Sequence, residues 1–226
     1  MKIISKNHVF RRPLTSRPST DTIVIHHSAG YDMSSEEVHR MHRNRQTSNG
    51  TYWIGIGYHY IIRQNGDVEE GRPVYAIGAH AGSSINRTSI GVCLMGDFDR
   101  EKSYPTQEQM ESLYNLIIHL FNRYGELEIK GHRDYMATAC PGKNVSLEEI
   151  RKEVKQRMSM SNQYKIKVNG EKEVAVPIDN KNDRLYILLD GEMNERHWVQ
   201  LRSFVDAFGF DVEWDGETNT ANIITK

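Results

Sequence analysis

Residues Thr22–His27, TIVIHH, constrain the fold of this chain more than any other stretch. A run of β-branched and aliphatic side chains without apolar/polar alternation reads as a strand covered on both faces, as in a sheet with helices on either side. Ile90–Met95 has the same character, and Leu127–Lys130 adds a shorter strand. Tyr58–Arg63 and Val68–Gly71 flank Asn65-Gly66, a dipeptide suited to a tight hairpin turn. Between these strands lie helical signals. Ser35 to about Arg45 carries Val38 and Met41 three apart. Thr106-Gln107-Glu108-Gln109 is a capping box behind Pro105, and Met110, Leu113, Ile117, Leu120, Phe121 and Tyr124 draw one apolar stripe before Gly125. A second capping box, Ser146-Leu147-Glu148-Glu149, opens a helix to about Met158. Strands alternating with helices predict an α/β fold, a mixed central β-sheet flanked by helices.

The rest of the chain differs in character. From Asn162 onward it carries 8 Lys/Arg against 12 Asp/Glu, which leaves 21 against 18 before that point. We therefore expect a mixed α/β domain over 1–158, a linker over 159–163 and a small β-rich module over 164–226. In that module Tyr164–Val168 and Glu173–Ile178 flank Asn169-Gly170, and Leu185–Leu189 is a third strand-like run. A helix over Val199–Phe208 precedes two more strands, Phe210–Trp214 and Thr220–Thr225.

Composition removes several functions. With 38% apolar and 26% charged residues the chain is an ordinary globular protein, and 29 basic against 30 acidic residues give no electrostatic case for a nucleic-acid partner. No apolar run approaches the length of a membrane span, so membrane insertion is not expected. The basic stretch Met1–Pro18 lacks the apolar segment of a secretion signal, which predicts a cytoplasmic product and reads the arm as a solvated tail. Cys93 and Cys140, the two cysteines, cannot build a disulfide framework, which leaves a metal or reactive role open.

Ten histidines raise the question of a metal, and their positions matter more than their number. His26 and His27 end the first buried strand, where ligand-binding groups of α/β sheets gather, and alternation along a strand sends one to each face. His132 follows another strand, and Cys140 stands eight residues later, before Pro141 and Gly142. Two histidines and a thiolate can hold zinc and leave its fourth position to water, as catalytic zinc requires. The spacing alone is a weak signal, since one ligand is distant in sequence and no HExxH helix is present. The plainer readings are that His59 and His80 are hydrogen-bonded groove residues, His119 lies at the surface or core edge, Cys93 is a small buried hydrophobe, and His27 packs behind the site.

Five segments then resemble, in order, a known family: TIVIHHSAG from Thr22, GYHYIIRQNGDVEEGR from Gly57, AIGAHAGSSINRTSIGVCLMGDFD from Ala76, TQEQMESL from Thr106 and GHRDYMATACPG from Gly131. They are similar to the zinc-dependent N-acetylmuramoyl-L-alanine amidases, which include amidase-type phage lysozymes and the peptidoglycan recognition proteins. The resemblance implies a Zn2+ cofactor held by His26, His132 and Cys140, and makes Tyr58 catalytic near the activated water. Phage members often carry a lysine where this chain has Thr138, so neutral donors must stabilise the oxyanion, with Thr138 as a candidate. His80 and Asn86 fall where the family lines its groove and are expected to contact substrate. The tail resembles, more loosely, the small module named for the N-terminal domain of copper amine oxidases, without a cluster of metal ligands. In a wall hydrolase it would hold the enzyme on its polymer.

These expectations combine into an endolysin-like peptidoglycan hydrolase that cleaves the amide between N-acetylmuramic acid and L-alanine and stays cytoplasmic until released to the cell wall. Two other classes share the fold: a non-catalytic peptidoglycan-binding receptor, and a lysozyme-like regulator of a host polymerase. Cys140 speaks for the enzyme, because non-catalytic recognition proteins typically lack that cysteine. Oligomeric state and the preferred peptidoglycan chemotype are not legible in the residues.

Overall fold

The computed structural model describes residues 2–161, 163–168, 172–177, 211–215 and 220–224. They form two compact units, Met1–Val154 and Lys155–Lys226. The first is built on a six-stranded mixed sheet: β1 (Ile3–Ile4), β2 (Thr22–His27), β3 (Tyr60–Ile62), β4 (Val68–Glu70), β5 (Ser89–Leu94) and β6 (Glu128–Gly131), in the order β1-β4-β3-β5-β2-β6. Only β3 and β4 pair antiparallel; every other neighbouring pair is parallel. All six residues of β2 and of β5 are buried, as their unbroken apolar character predicts.

Three helices connect and cover the sheet: α1 (Ser35–Arg43), α2 (Gln107–Tyr124) and α3 (Leu147–Ser161). Capping boxes start the first two. Ser34 and Glu37 satisfy each other's backbone donors at α1, and Thr106 and Gln109 do so at α2. Gly125, at φ 84, ends α2 in a region closed to most side chains. The buried face of α2 is Gln109, Leu113, Leu116, Ile117, Leu120 and Phe121, so Met110 and Tyr124 sit at the margin of the stripe rather than in it. Each of the four fully buried aliphatics is worth about 2 kcal/mol in removed apolar surface, which makes α2 the main clamp on its side of the sheet. Arg151 of α3 donates to the Ile129 carbonyl at 2.6 and 3.0 Å and ties that helix to β6.

Three expectations need correction. Met41 is half exposed, and the inward side of α1 is instead Ser35, Val38, His39 and His42. The periodicity of apolar residues could not show this, because α1 buries imidazoles that accept backbone hydrogen bonds. The basic N-terminal arm is not a solvated tail. Ile3 and Ile4 pair with β4, Arg11 N–H donates to the Ile54 carbonyl at 2.9 Å, and Ser16 bridges Ala76. Backbone pairing on an open edge, not side-chain pattern, holds it there. The third strand of the sheet begins at Tyr60, so Tyr58 and His59 precede it instead of lying within it.

In the second unit the strands β7 (Gln163–Val168), β8 (Lys172–Pro177), β9 (Asp211–Asp215) and β10 (Thr220–Ile224) form a sheet in the order β8-β7-β10-β9. β7 and β8 pair antiparallel, as do β9 and β10, and β7 lies parallel to β10. These are the four outer strands expected from the sequence. The expected strand over Leu185–Leu189, the helix over Val199–Phe208 and the Asn169-Gly170 turn lie outside the described residues. α3 continues to Ser161 and β7 opens at Gln163. Among the described residues, no helix is long and apolar enough to cross a membrane.

Candidate metal centre

Strand register assembles the centre. β2 and β6 run parallel with Ile25 beside Gly131, so the residues that follow, His26 and His132, come side by side at one edge of the sheet. Their ring centroids are 4.7 Å apart. His132 starts a short helical turn, His132–Asp134, whose Asp134 carboxylate accepts from the Gly131 N–H at 2.8 Å. The loop then doubles back, with Arg133 N–H on the Cys140 carbonyl at 2.9 Å, and this returns Cys140 to the same edge.

The ligand atoms of His26, His132 and Cys140 all lie within 4.8 Å of one another. Cys140 Sγ is 3.7 Å from His26 Nδ1, against about 3.6 Å expected across a tetrahedral zinc site with ordinary Zn–S and Zn–N bonds. The three donors therefore fit zinc in chemistry and in spacing. His26 is fully buried and its ring is held neutral, far below the ordinary imidazole range, first by burial and then by the neighbouring histidines. Burial also pushes the Cys140 thiol up to about 11, against the pull of the His27 N–H, which donates to Sγ at 3.4 Å, and of Arg133. A divalent cation reverses that preference, because it displaces the thiol proton.

His27 points away from the centre, as alternation requires, and its Nδ1 accepts from the Phe98 N–H at 3.1 Å. Tyr58 faces the centre, its ring 5.0 Å from that of His26. Burial raises its phenol well above the ordinary range, and the side chain packs against the cluster of Val38, Ile56, Ile61, Cys93 and Met95. Cys93, paired with His26 across β2 and β5, is fully buried as expected. His59 is a buried structural group: Nδ1 accepts from Gly91 N–H and Nε2 donates to the Ala76 carbonyl, both at 2.9 Å. His119 is exposed on α2.

Thr138 is exposed, and its hydroxyl accepts from the Cys140 N–H at 3.2 Å, so it braces the ligand loop. His80 and Asn86 turn inward. Asn86 Oδ1 accepts from the N–H groups of His80 and Ala81, both at 2.9 Å, and the His80 ring lies against His26. Sequence reasoning missed His39 and His42 altogether. Their Nδ1 atoms accept from the successive N–H groups of Ile56 and Gly57 at 3.3 and 3.2 Å, which fixes the segment leading into Tyr58. Burial holds His42 down to about 4, so it stays a neutral acceptor; its spacing from His39 on one helix face was the only signal available.

Comparison with known proteins agrees with this geometry. The family model for N-acetylmuramoyl-L-alanine amidase matches residues 16–143. The chain is 35% identical over 131 residues to the endolysin of Escherichia phage T7, a match covering 55% of this chain and 82% of the relative. It is 34% identical over 127 residues to mouse peptidoglycan recognition protein 1, covering 53% of this chain and 68% of that one. Among solved structures, the N-acetylmuramoyl-L-alanine amidase LysC from Clostridium intestinale superposes with a TM-score of 0.62 at 35% identity, covering 69% of this chain and 98% of its own. The chain belongs to the N-acetylmuramoyl-L-alanine amidase family and is a peptidoglycan hydrolase.

Proposed function

We propose that the chain is a zinc-dependent amidase of the endolysin type, which cleaves the bond between N-acetylmuramic acid and the L-alanine of the stem peptide and is held in the cytoplasm until released to the wall. The observation that carries this reading is the convergence of His26, His132 and Cys140 at the sheet edge, with Tyr58 beside them. When bound, zinc supplies the Lewis acidity that activates a water and polarises the scissile carbonyl. His26, His132 and Cys140 would hold the ion. Tyr58 places a phenol where it can donate to the carbonyl oxygen as charge develops there. Thr138 braces Cys140 through its backbone and is a second neutral donor at the rim. The second unit serves as a wall-anchoring module.

Cys140→Ser tests the assignment, because a serine hydroxyl is a far poorer zinc ligand than a thiolate. The variant is expected to lose zinc and wall lysis together. Full activity at normal zinc content would remove Cys140 from the site.

A further inference from the structure

The His80 ring occupies a slot made for it. A Cβ on Gly78 would come within 2.5 Å of its Cδ2, and one on Gly91 within 2.6 Å of its Cδ2 and Cγ, so glycine at both positions is what lets the imidazole lie flat against the sheet. The backbone of His80 is pinned by Asn86, and the side chain is almost wholly buried. Its Nδ1 is 3.0 Å from His26 Nε2, and its Nε2 is 3.5 Å from Ser89 Oγ. Ser89 Oγ lies 2.6 Å from the Ile85 carbonyl.

The direction of these bonds follows from the last one. A carbonyl oxygen can only accept, so the Ser89 hydroxyl spends its proton on Ile85 and can only accept from His80. His80 then carries its proton on Nε2 and presents a lone pair at Nδ1. That lone pair takes the Nε2–H of His26, which leaves the His26 lone pair on Nδ1, the atom facing Cys140 Sγ at 3.7 Å.

We propose that His80 is a positioning residue for the metal centre: the chain His26–His80–Ser89–Ile85 fixes His26 in the tautomer and orientation that aim Nδ1 at the ion. The proposal rests on the zinc reading above and goes beyond it, since it assigns to His80 a task other than contact with substrate. A partner that fixes the second nitrogen of a ligating histidine is typically worth 10 to 100-fold in metal affinity.

Two measurements test it. In the first, zinc affinity is determined by competition with a chromogenic chelator for the full chain and for His80→Leu, His80→Asn and Ser89→Ala. Leucine fills the slot without an acceptor and is expected to weaken zinc binding by roughly 10 to 100-fold. Asparagine, whose Oδ1 replaces Nδ1, is expected to stay within about threefold of the parent, and Ser89→Ala to fall between the two. In the second, the ring nitrogens of His26 and His80 are assigned by 15N NMR in the chelator-treated wild-type chain. Both rings are expected to be protonated on Nε2 alone, a readout that needs neither a variant nor the metal. A His80 protonated on Nδ1, or a folded His80→Leu chain that binds zinc as tightly as wild type, overturns the relay. A wild-type chain that takes up no zinc, with both rings protonated on Nε2, would sink the metal reading while supporting the relay.

Discussion

Tyr58 is the residue on which the chemistry beyond the metal turns. Its ring lies 5.0 Å from that of His26, and the side chain packs on the buried cluster that contains Cys93. Tyr58→Phe keeps the ring and deletes the one group able to donate to a developing oxyanion. The fold should hold and zinc content should be unchanged, while kcat falls by roughly 10² or more. Substrate affinity should move little, since the hydroxyl acts mainly in the transition state. An unchanged kcat on a soluble muropeptide at full zinc occupancy would exclude Tyr58 from the mechanism. At this scale the grouping of His26, His132 and Cys140 was legible, because each stands at the end of a strand or in the loop after one, and chain order preserved the resemblance. His39 and His42 were not. Their roles depend on which backbone N–H the fold brings to them, and no residue spacing encodes that.

Among the elements, α2 shows how a polar residue can specify packing. Gln109 is fully buried; its Oε1 accepts from the Thr106 N–H, and its amide donates to the carbonyls of Ile62 and Met95 at 3.1 and 2.9 Å. One side chain thus caps a helix and ties together the ends of β3 and β5. Gln109→Leu leaves the Met95 carbonyl and the Thr106 cap unsatisfied, while the Ile62 carbonyl keeps the Met95 N–H, so we expect a loss of about 1–3 kcal/mol and a fall in Tm of roughly 3–10 °C by thermal melting. A shift under about 2 °C would mean that water or local rearrangement replaces those bonds. The capping box was visible in the sequence, but Gln109 as a bridge was not, because the same residue type at the same position serves equally well in solvent. The apolar stripe gave the face of α2 to within one row. It misled on α1, where a helix of few apolar residues buries histidines instead of Met41.

For the molecule as a whole, the division into two units gives the tail a testable task. The family match ends at residue 143, well before the second sheet, so the family's chemistry falls in the first unit, and anchoring by the second is our proposal. A 1–161 fragment should hydrolyse soluble muropeptides nearly as the full chain does and lose activity chiefly on intact walls, where tethering raises effective concentration. Equal losses on both substrates would make the tail part of the catalytic fold. The α/β core was readable because buried parallel strands announce themselves as unbroken apolar runs. The N-terminal arm was not, since an edge strand is held by backbone pairing that its side chains do not advertise. The central claim, hydrolysis of the muramoyl–alanine amide by a metal centre, is tested most directly by mass spectrometry of purified peptidoglycan digested with native, chelator-treated and zinc-restored protein. The account predicts new alanine N-termini without new reducing sugar ends, lost on chelation and regained with zinc. New reducing ends, or release of alanine termini that persists after the metal is removed, would contradict it.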